Sequence, residues 1–482
     1  MSFVQLEFLG FFVVVALLNL VAPSRRIQNA VLLVASGVFY GWVHPWYLGL
    51  LAFSTLLDFG AGLGMARWPN RKGALLALSI AGNVFLLGAF KYLDFFIDSW
   101  VVALSALGVH TPMHALGIAL PVGISFFTFQ TMSYTIDVYR GELKPRRSLL
   151  DYATFVCLFP QLVAGPIERA AKLLPQIERR RTVTAKRFAD GLGLALWGAA
   201  QKVVVADNLG LYVDRVWSMD DASGPMVWGA ALAFTVEILA DFGGYTDMAR
   251  GVARMLGIEL SENFRAPYLA SGPLEFWQRW HISLSTWLRD YVYLPLVFSD
   301  TARRWLPVPG KGKWHTWGRL CLAMVTTMLL SGLWHGARWT CVLWGLYWGL
   351  LMCIWLTAQR IVPARVRRRP GWRFILVPLT FVLTVIGMLI FREPDLAGLV
   401  QHLSLAPLGG DWRRWVAASV IVDLAVAGGL LLAFGGWLRR RTVDGPAWLR
   451  ALPLRTSLWA AGAVALFLFS RETARAFIYF QF

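Results

Sequence analysis

The chain has 482 residues, of which 57% are hydrophobic and only 15% are charged, and its formal net charge at pH 7 is +18. Soluble proteins carry about 25% charged residues, and a single hydrophobic core stops growing beyond roughly 250–300 residues, so a soluble fold could not bury this much apolar surface. The composition therefore excludes soluble, disordered and fibrous proteins and predicts an all-α, polytopic membrane protein.

The basic residues lie in short loops between apolar stretches. In a soluble protein such a charge would suggest nucleic acid as a partner, but basic loops between hydrophobic spans are what the positive-inside rule places on the cytoplasmic face. We therefore predict membrane lipid as the surroundings of the chain and no nucleic-acid partner. The basic clusters are Arg25–Arg26, Arg67–Lys72, Lys144–Arg147, Arg179–Arg187, Arg365–Arg369 and Arg439–Arg441.

Apolar stretches long enough to enter a bilayer recur along the whole chain. Because about 20 predominantly apolar residues cross the hydrocarbon core, we predict about 10–13 membrane helices, some of which do not cross fully. The stretches are residues 4–22, 28–43, 47–65, 74–91, 95–109, 116–138, 189–206, 225–241, 318–334, 338–360, 374–391, 415–437 and 455–470.

The first irregularity in chain order concerns residues 95–109. The basic clusters Arg67–Lys72 and Lys144–Arg147 are both expected inside, so an even number of crossings must separate them. Three candidate stretches lie between these clusters. We therefore expect the short stretch 95–109 to stop before it crosses the membrane.

The second irregularity is the apolar segment Tyr152–Pro175. It contains Phe159-Pro160-Gln161 and Ala164-Gly165-Pro166, and proline breaks helices because it lacks an amide hydrogen and restricts the preceding residue. Broken backbone at membrane depth is tolerated where protein or water satisfies its polar groups. We predict a re-entrant segment that returns to the face it entered from.

The stretch Asp241–Asp290 is the densest polar block of the chain. Its charged side chains could pair among themselves around a polar cavity, or lie solvated in an interfacial loop. We predict that substrate is bound by Asp241, Asn263, Arg279 and Ser285 from this block, together with Trp334. No metal-ligand spacing, phosphate loop or nucleophile elbow is present, which favours direct attack by an acceptor group and predicts no metal site.

Two histidines are the candidate catalytic residues. His281 lies on a predicted long amphipathic helix that includes Glu275–Ser285, and His335 lies at the tip Gly332–Gly336 of an apolar helical hairpin. Ionisable groups are costly within a membrane and so mark functional sites, and imidazole can take and return a proton near neutral pH. Gly332 and Gly336 would let a substrate chain approach the backbone closely. The alternative for either histidine is a purely structural hydrogen bond.

Several segments together carry a resemblance to a known family. The segments are Pro121–Phe126, Ala164–Ile167, Asp241–Met248, Phe276–Tyr291, Gly332–Gly336 and Phe477–Phe482. Through them the chain resembles the membrane-bound O-acyltransferase family over nearly its whole length, and within it a bacterial branch that contains the membrane subunit of alginate O-acetyltransferase. Gln278 departs from the basic residue expected there in many relatives.

The resemblance implies an activity and roles for the two histidines. It implies a family fold with re-entrant segments around a central funnel. It also implies that His335 is the catalytic base. His281 would lie at the second signature position, where it would orient the thioester or stabilise an oxyanion. It also implies acetyl-CoA as the donor, with no permanently bound cofactor, and a location in the bacterial inner membrane. The acceptor would be an extracytoplasmic polysaccharide, reached through a periplasmic partner of the SGNH-hydrolase type.

The expected organisation is a single membrane domain over residues 1–482. Within it, 1–148 form N-terminal helices, 149–360 form a catalytic core with both histidines, and 361–482 form C-terminal helices. The D-alanyl transferase of teichoic acid synthesis resembles the chain at both signatures, so the acyl group and the glycan stay open. Rival hypotheses are a transporter or flippase, and a shuttle that hands the acyl group to a partner protein.

Overall fold

In the computed structural model of the protein, the described residues are 1–42, 44–299, 313–363, 371–409, 412–444 and 477–478. Every regular element within these ranges is helical, which confirms the all-α prediction. The helices of the first half are α1 (Leu6–Val21), α2 (Arg25–Gly41), α3 (Tyr47–Arg67), α4 (Lys72–Leu87), α5 (Leu93–Ala106), α6 (Ile124–Arg140), α7 (Leu149–Cys157), α8 (Phe159–Leu162), α9 (Ala170–Ile177) and α10 (Ala185–Ala200).

The helices of the second half carry both histidines. They are α11 (Asp207–Trp217), α12 (Gly224–Met255), α13 (Pro273–Arg279), α14 (Ile282–Leu288), α15 (Leu294–Phe298), α16 (Lys313–His335), α17 (Trp339–Ile361), α18 (Trp372–Arg392), α19 (Leu396–Ser404) and α20 (Trp412–Asp444). The chain forms two compact units, one of Met1–Ala195 with Tyr245–Ser261 and one of Leu196–Gly244 with Glu262–Phe482. The second unit contains both histidines.

Seven helical stretches among the described residues are long and apolar enough to span a membrane, so the protein is a multi-pass membrane protein. The number is below the predicted range because some apolar helices, such as the 16-residue α1, are short. The stretch 455–470 and the cluster Arg365–Arg369 lie outside the described residues, and the central funnel stays a prediction.

The prediction of two separate segments at 74–91 and 95–109 is wrong. A single helical stretch of 38 residues runs from Pro69 to Ala106, with a π-helical turn at Gly88–Tyr92. The Nζ of Lys91 lies 3.4 Å from the Ser125 hydroxyl, and Asp94 accepts backbone hydrogen bonds from Leu116 and Ile118. Because polar partners satisfy these charged side chains, the helix continues through them.

The predicted break after Tyr152 is confirmed. Helix α7 ends at Cys157, α8 is a single turn, and no further helix begins before Ala170. The side-chain amides of Gln130 and Gln161 both donate to the Phe155 carbonyl, at 2.8 and 2.7 Å, and the Phe159 amide donates to the Ser36 hydroxyl at 3.0 Å. Side chains thus replace the helical hydrogen bonds that the break removes. The re-entrant path itself stays a prediction.

The hairpin of α16 and α17 owes its close packing to glycine. A Cβ on Gly332 would lie 2.1 Å from the Cys341 carbonyl oxygen, and one on Gly345 would lie 2.2 Å from the Met328 carbonyl oxygen. Small residues of this kind let membrane helices approach backbone to backbone. Helix packing therefore accounts for Gly332, and the predicted approach of a substrate chain stays a prediction.

Candidate active site

His335 is the last residue of α16 and is buried among aromatic rings. Its imidazole lies almost perpendicular to the rings of Trp334, Trp344 and Phe391, with centroid distances of 4.9, 5.1 and 5.6 Å. Trp344 belongs to α17 and Phe391 to α18, so three helices hold this ring. Only 4% of the His335 surface is exposed, which makes the histidine part of an apolar interior.

His281 lies at a break between two short helices, so the prediction of one long amphipathic helix is wrong. Helix α13 ends at Arg279 and α14 begins at Ile282, and His281 between them has a left-handed backbone with φ of 41°. A non-glycine residue in this region is uncommon and carries strain. Because of this break, His281 does not belong to the regular backbone of either helix.

Asn263, eighteen positions earlier, supplies the hydrogen bonds that stabilise this break. Its backbone carbonyl accepts from the Ile282 amide at 2.9 Å. Its side-chain oxygen accepts from the Ser283 amide at 3.1 Å and from the Ser283 hydroxyl at 2.8 Å. The same oxygen lies 3.2 Å from Nδ1 of His281. Asn263 therefore caps α14 from outside and contacts the histidine in front of it.

The helix that precedes His281 is held by aromatic stacking. Phe276 stacks on Trp348 of α17 with a centroid distance of 4.8 Å and an interplanar angle of 4°, and on Trp280 at 5.6 Å. Such ring pairs add about 0.5–1.5 kcal/mol beyond the area they bury. The contact fixes α13 against the hairpin that carries His335.

The two histidines come together in one site. Their ring centroids are 6.2 Å apart with an interplanar angle of 62°, and Trp334 contacts both rings, at 5.8 Å from His281 and 4.9 Å from His335. Phe242 of α12 packs against His281 with a centroid distance of 4.7 Å and an interplanar angle of 79°. A substrate atom that reached one imidazole would lie within reach of the other.

His281 is neutral at physiological pH. The residue is fully buried, and this burial lowers the pKa of its imidazole to about 3, because a charged ring loses its hydration. The imidazole therefore carries no positive charge, and one of its nitrogens has a lone pair that can accept a hydrogen bond or a proton.

Asp241 forms a buried ion pair. Its carboxylate accepts from Lys202 at 2.7 Å and from the Ile478 amide at 2.8 Å. Lys202 also pairs with Asp207 at 2.8 Å and lies 4.5 Å from the centre of the Phe477 ring. The pair thus joins α12 to the segment that precedes α11 and to the C-terminal end of the chain.

Arg279 and Ser285 make local contacts. The Arg279 guanidinium pairs with Glu275, one turn earlier on α13, at 2.6 Å. The Ser285 hydroxyl donates to the Trp280 carbonyl at 3.0 Å. Both side chains thus stabilise the chain on either side of His281.

Sequence reasoning missed four residues of this unit. Lys202 lies inside an apolar stretch read as a membrane span, although a lone lysine in such a stretch is itself a signal of function. Ser283, Trp344 and Phe391 carry no distinctive pattern and are revealed only by their contacts with Asn263 or His335.

Comparisons with known proteins identify the family and the relatives of the chain. The model of the membrane-bound O-acyltransferase family matches residues 140–392. The chain is 37% identical to a probable alginate O-acetylase AlgI of Pseudomonas putida, over 86% of this chain and 82% of that one. It is 38% identical to the Azotobacter vinelandii protein of the same name, over 81% and 74%. It is also 32% identical to a peptidoglycan O-acetyltransferase of Helicobacter pylori, over 73% and 68%.

Proposed function

The chain belongs to the membrane-bound O-acyltransferase family and is an acyltransferase, and we propose that it moves an acetyl group from cytoplasmic acetyl-CoA towards an extracytoplasmic polysaccharide in the bacterial inner membrane. Relatives named as O-acetylases of alginate and of peptidoglycan support a polysaccharide acceptor. The observation that carries the proposal is the pair of buried imidazoles 6.2 Å apart.

In the proposed step, His335 is the general base. The acceptor hydroxyl attacks the carbonyl carbon of the acetyl thioester, its proton passes to the His335 imidazole, and the new ester bond forms as the carbon–sulfur bond breaks. His335 then returns the proton to the leaving thiolate, so acetyl-CoA and alcohol become ester and free coenzyme A. A positioned base of this kind contributes about 10²–10⁴-fold to a rate.

The surroundings of His335 favour this role. Aromatic rings from three helices hold the imidazole, and a base whose side chain is locked in place loses little freedom when it acts. We propose that Trp334, which contacts both histidines, orients the acyl donor between them.

The donor and the acceptor reach this site from opposite faces in the proposal. The basic loops expected on the cytoplasmic face would attract the phosphates of coenzyme A, which arginine binds through charge-assisted hydrogen bonds. A periplasmic partner of the SGNH-hydrolase type would complete transfer to the polysaccharide.

The test is a donor assay on the purified full-length protein in detergent. With an alginate oligosaccharide and a candidate periplasmic partner, we expect coenzyme A release and labelled ester from [14C]acetyl-CoA, and no transfer from a D-alanyl thioester donor. The assay is repeated without the saccharide, because a shuttle would still label the partner. A transporter would consume no thioester, so intact acetyl-CoA after long incubation in both assays would overturn the proposal.

A further inference from the structure

Asn263 has a fixed amide orientation in this site. Its side-chain oxygen receives the backbone N–H of Ser283 at 3.1 Å, and a backbone N–H can only donate. The atom that faces Ser283 must therefore be the amide oxygen and not the amide nitrogen. The Ser283 N–H thus fixes the orientation of the Asn263 amide.

The orientation of Asn263 determines the tautomer of His281. Nδ1 of His281 lies 3.2 Å from the same amide oxygen, and two acceptors cannot share a hydrogen bond without a hydrogen between them. Nδ1 therefore carries the hydrogen. In a neutral imidazole the second nitrogen, Nε2, is then the acceptor.

We infer that Asn263 is a positioning residue that holds His281 as its Nδ1–H tautomer and makes Nε2 the proton-accepting nitrogen of that ring. The catalytic role of this tautomer rests on the proposed function. In this tautomer a neutral His281 cannot donate to a developing oxyanion through Nε2, which can only accept a hydrogen bond.

The Nδ2 amide group of Asn263 supports a role beyond packing. The residue is fully buried, and within the part of the chain that the structure describes its Nδ2 atom has no hydrogen-bond partner. A buried donor without a partner is destabilising, and a substrate oxygen at the site would remove that cost.

The first arm of the experiment reads the tautomer without any acetyl transfer. In the full-length protein labelled with ¹⁵N-histidine, the imidazole nitrogens of His281, assigned by their loss in His281→Gln, should show a protonated Nδ1 and an unprotonated Nε2. Asn263→Ala should weaken this pattern and give a mixture of tautomers. Ser283→Ala is the matched control, because it removes a hydroxyl from the same oxygen but keeps the contact with His281, and it should leave the pattern unchanged.

The second arm measures acetyl transfer in the Asn263 variants. Asn263→Ala should lower kcat by about 10²-fold, since a misplaced catalytic group costs about this much. Asn263→Asp keeps an acceptor for both Ser283 and Nδ1–H but lacks the Nδ2 donor, and it should retain more activity than Asn263→Ala. The carboxylate of Asn263→Asp raises the pKa of His281. As the pH falls, the ring in this variant becomes protonated at a higher pH than in the wild type. Activity that needs the neutral ring should therefore be lost at a higher pH than in the wild type.

The two arms separate failure of this inference from failure of the proposed function. A protonated Nε2 in the wild-type spectrum, or the same tautomer in Asn263→Ala, would overturn the assignment of Asn263. Equal kcat in Asn263→Ala and wild type would do the same. Absence of acetyl transfer by the wild-type protein would overturn the proposed function while leaving the spectra to decide the tautomer.

Discussion

His335→Ala is expected to lower acetyl transfer by about 10²–10⁴-fold, the usual contribution of a general base. The proposed step passes the acceptor proton to this imidazole, and alanine provides no group that could take it. The loss should appear in kcat, because the base acts in the transition state and not in donor binding. The measurement is labelled ester formed per minute by purified protein with the periplasmic partner and an alginate oligosaccharide, at saturating acetyl-CoA.

Two further variants make this result specific. His335→Gln keeps a polar side chain of similar size among the rings of Trp334, Trp344 and Phe391. A lower rate of acetyl transfer in this variant therefore results from the loss of the base and not from a cavity in the packing. His110→Ala removes an exposed histidine and should leave the rate unchanged. Wild-type turnover in His335→Gln would mean that another group accepts the proton.

Lys202→Met is expected to destabilise the protein by about 3–5 kcal/mol, the cost of breaking a buried ion pair from one side. The lysine is 2% exposed and lies 2.7 Å from Asp241 and 2.8 Å from Asp207. Its removal leaves two buried carboxylates without their cation. The measurement is the thermal unfolding midpoint in detergent, which should fall clearly below that of the wild type.

The matched control for this prediction is Lys186→Met. Lys186 is 84% exposed and lies 3.9 Å from Asp190, and exposed pairs of this kind contribute only about 0–1 kcal/mol. The double variant Lys202→Met with Asp241→Asn should be more stable than Lys202→Met, because one uncompensated charge is gone. Equal midpoints for Lys202→Met and Lys186→Met would mean that the buried pair contributes nothing measurable.

Much of the helical framework could be predicted because hydropathy alone determines which stretches enter a membrane. The hairpin of α16 and α17, with His335 at its tip, and the break around Phe159 both follow from local composition and from proline chemistry. The continuous stretch from Pro69 to Ala106 could not be predicted in the same way, because Lys91 and Asp94 are satisfied by partners distant in sequence.

The site shows the same division between local and distant causes. Residues Glu275–Ser285 have the pattern of an amphipathic helix, and the break at His281 depends on Asn263, which lies outside that pattern. Sequence motifs could nominate both histidines, but their 6.2 Å separation arises from tertiary packing. The ion pair of Lys202 and Asp241 joins residues 39 positions apart. The sequence did not indicate this pair, because Lys202 lies inside an apolar stretch predicted to be a membrane span.

The most direct measurement of vectorial acetyl transfer through the histidine site uses sealed proteoliposomes. The full-length protein is reconstituted with alginate oligosaccharide and the candidate periplasmic partner trapped inside, and [14C]acetyl-CoA is added only outside. The account predicts labelled ester in the lumen with the wild-type protein and none above background with His335→Ala. Label confined to the outside, or equal lumenal label with both proteins, would contradict it.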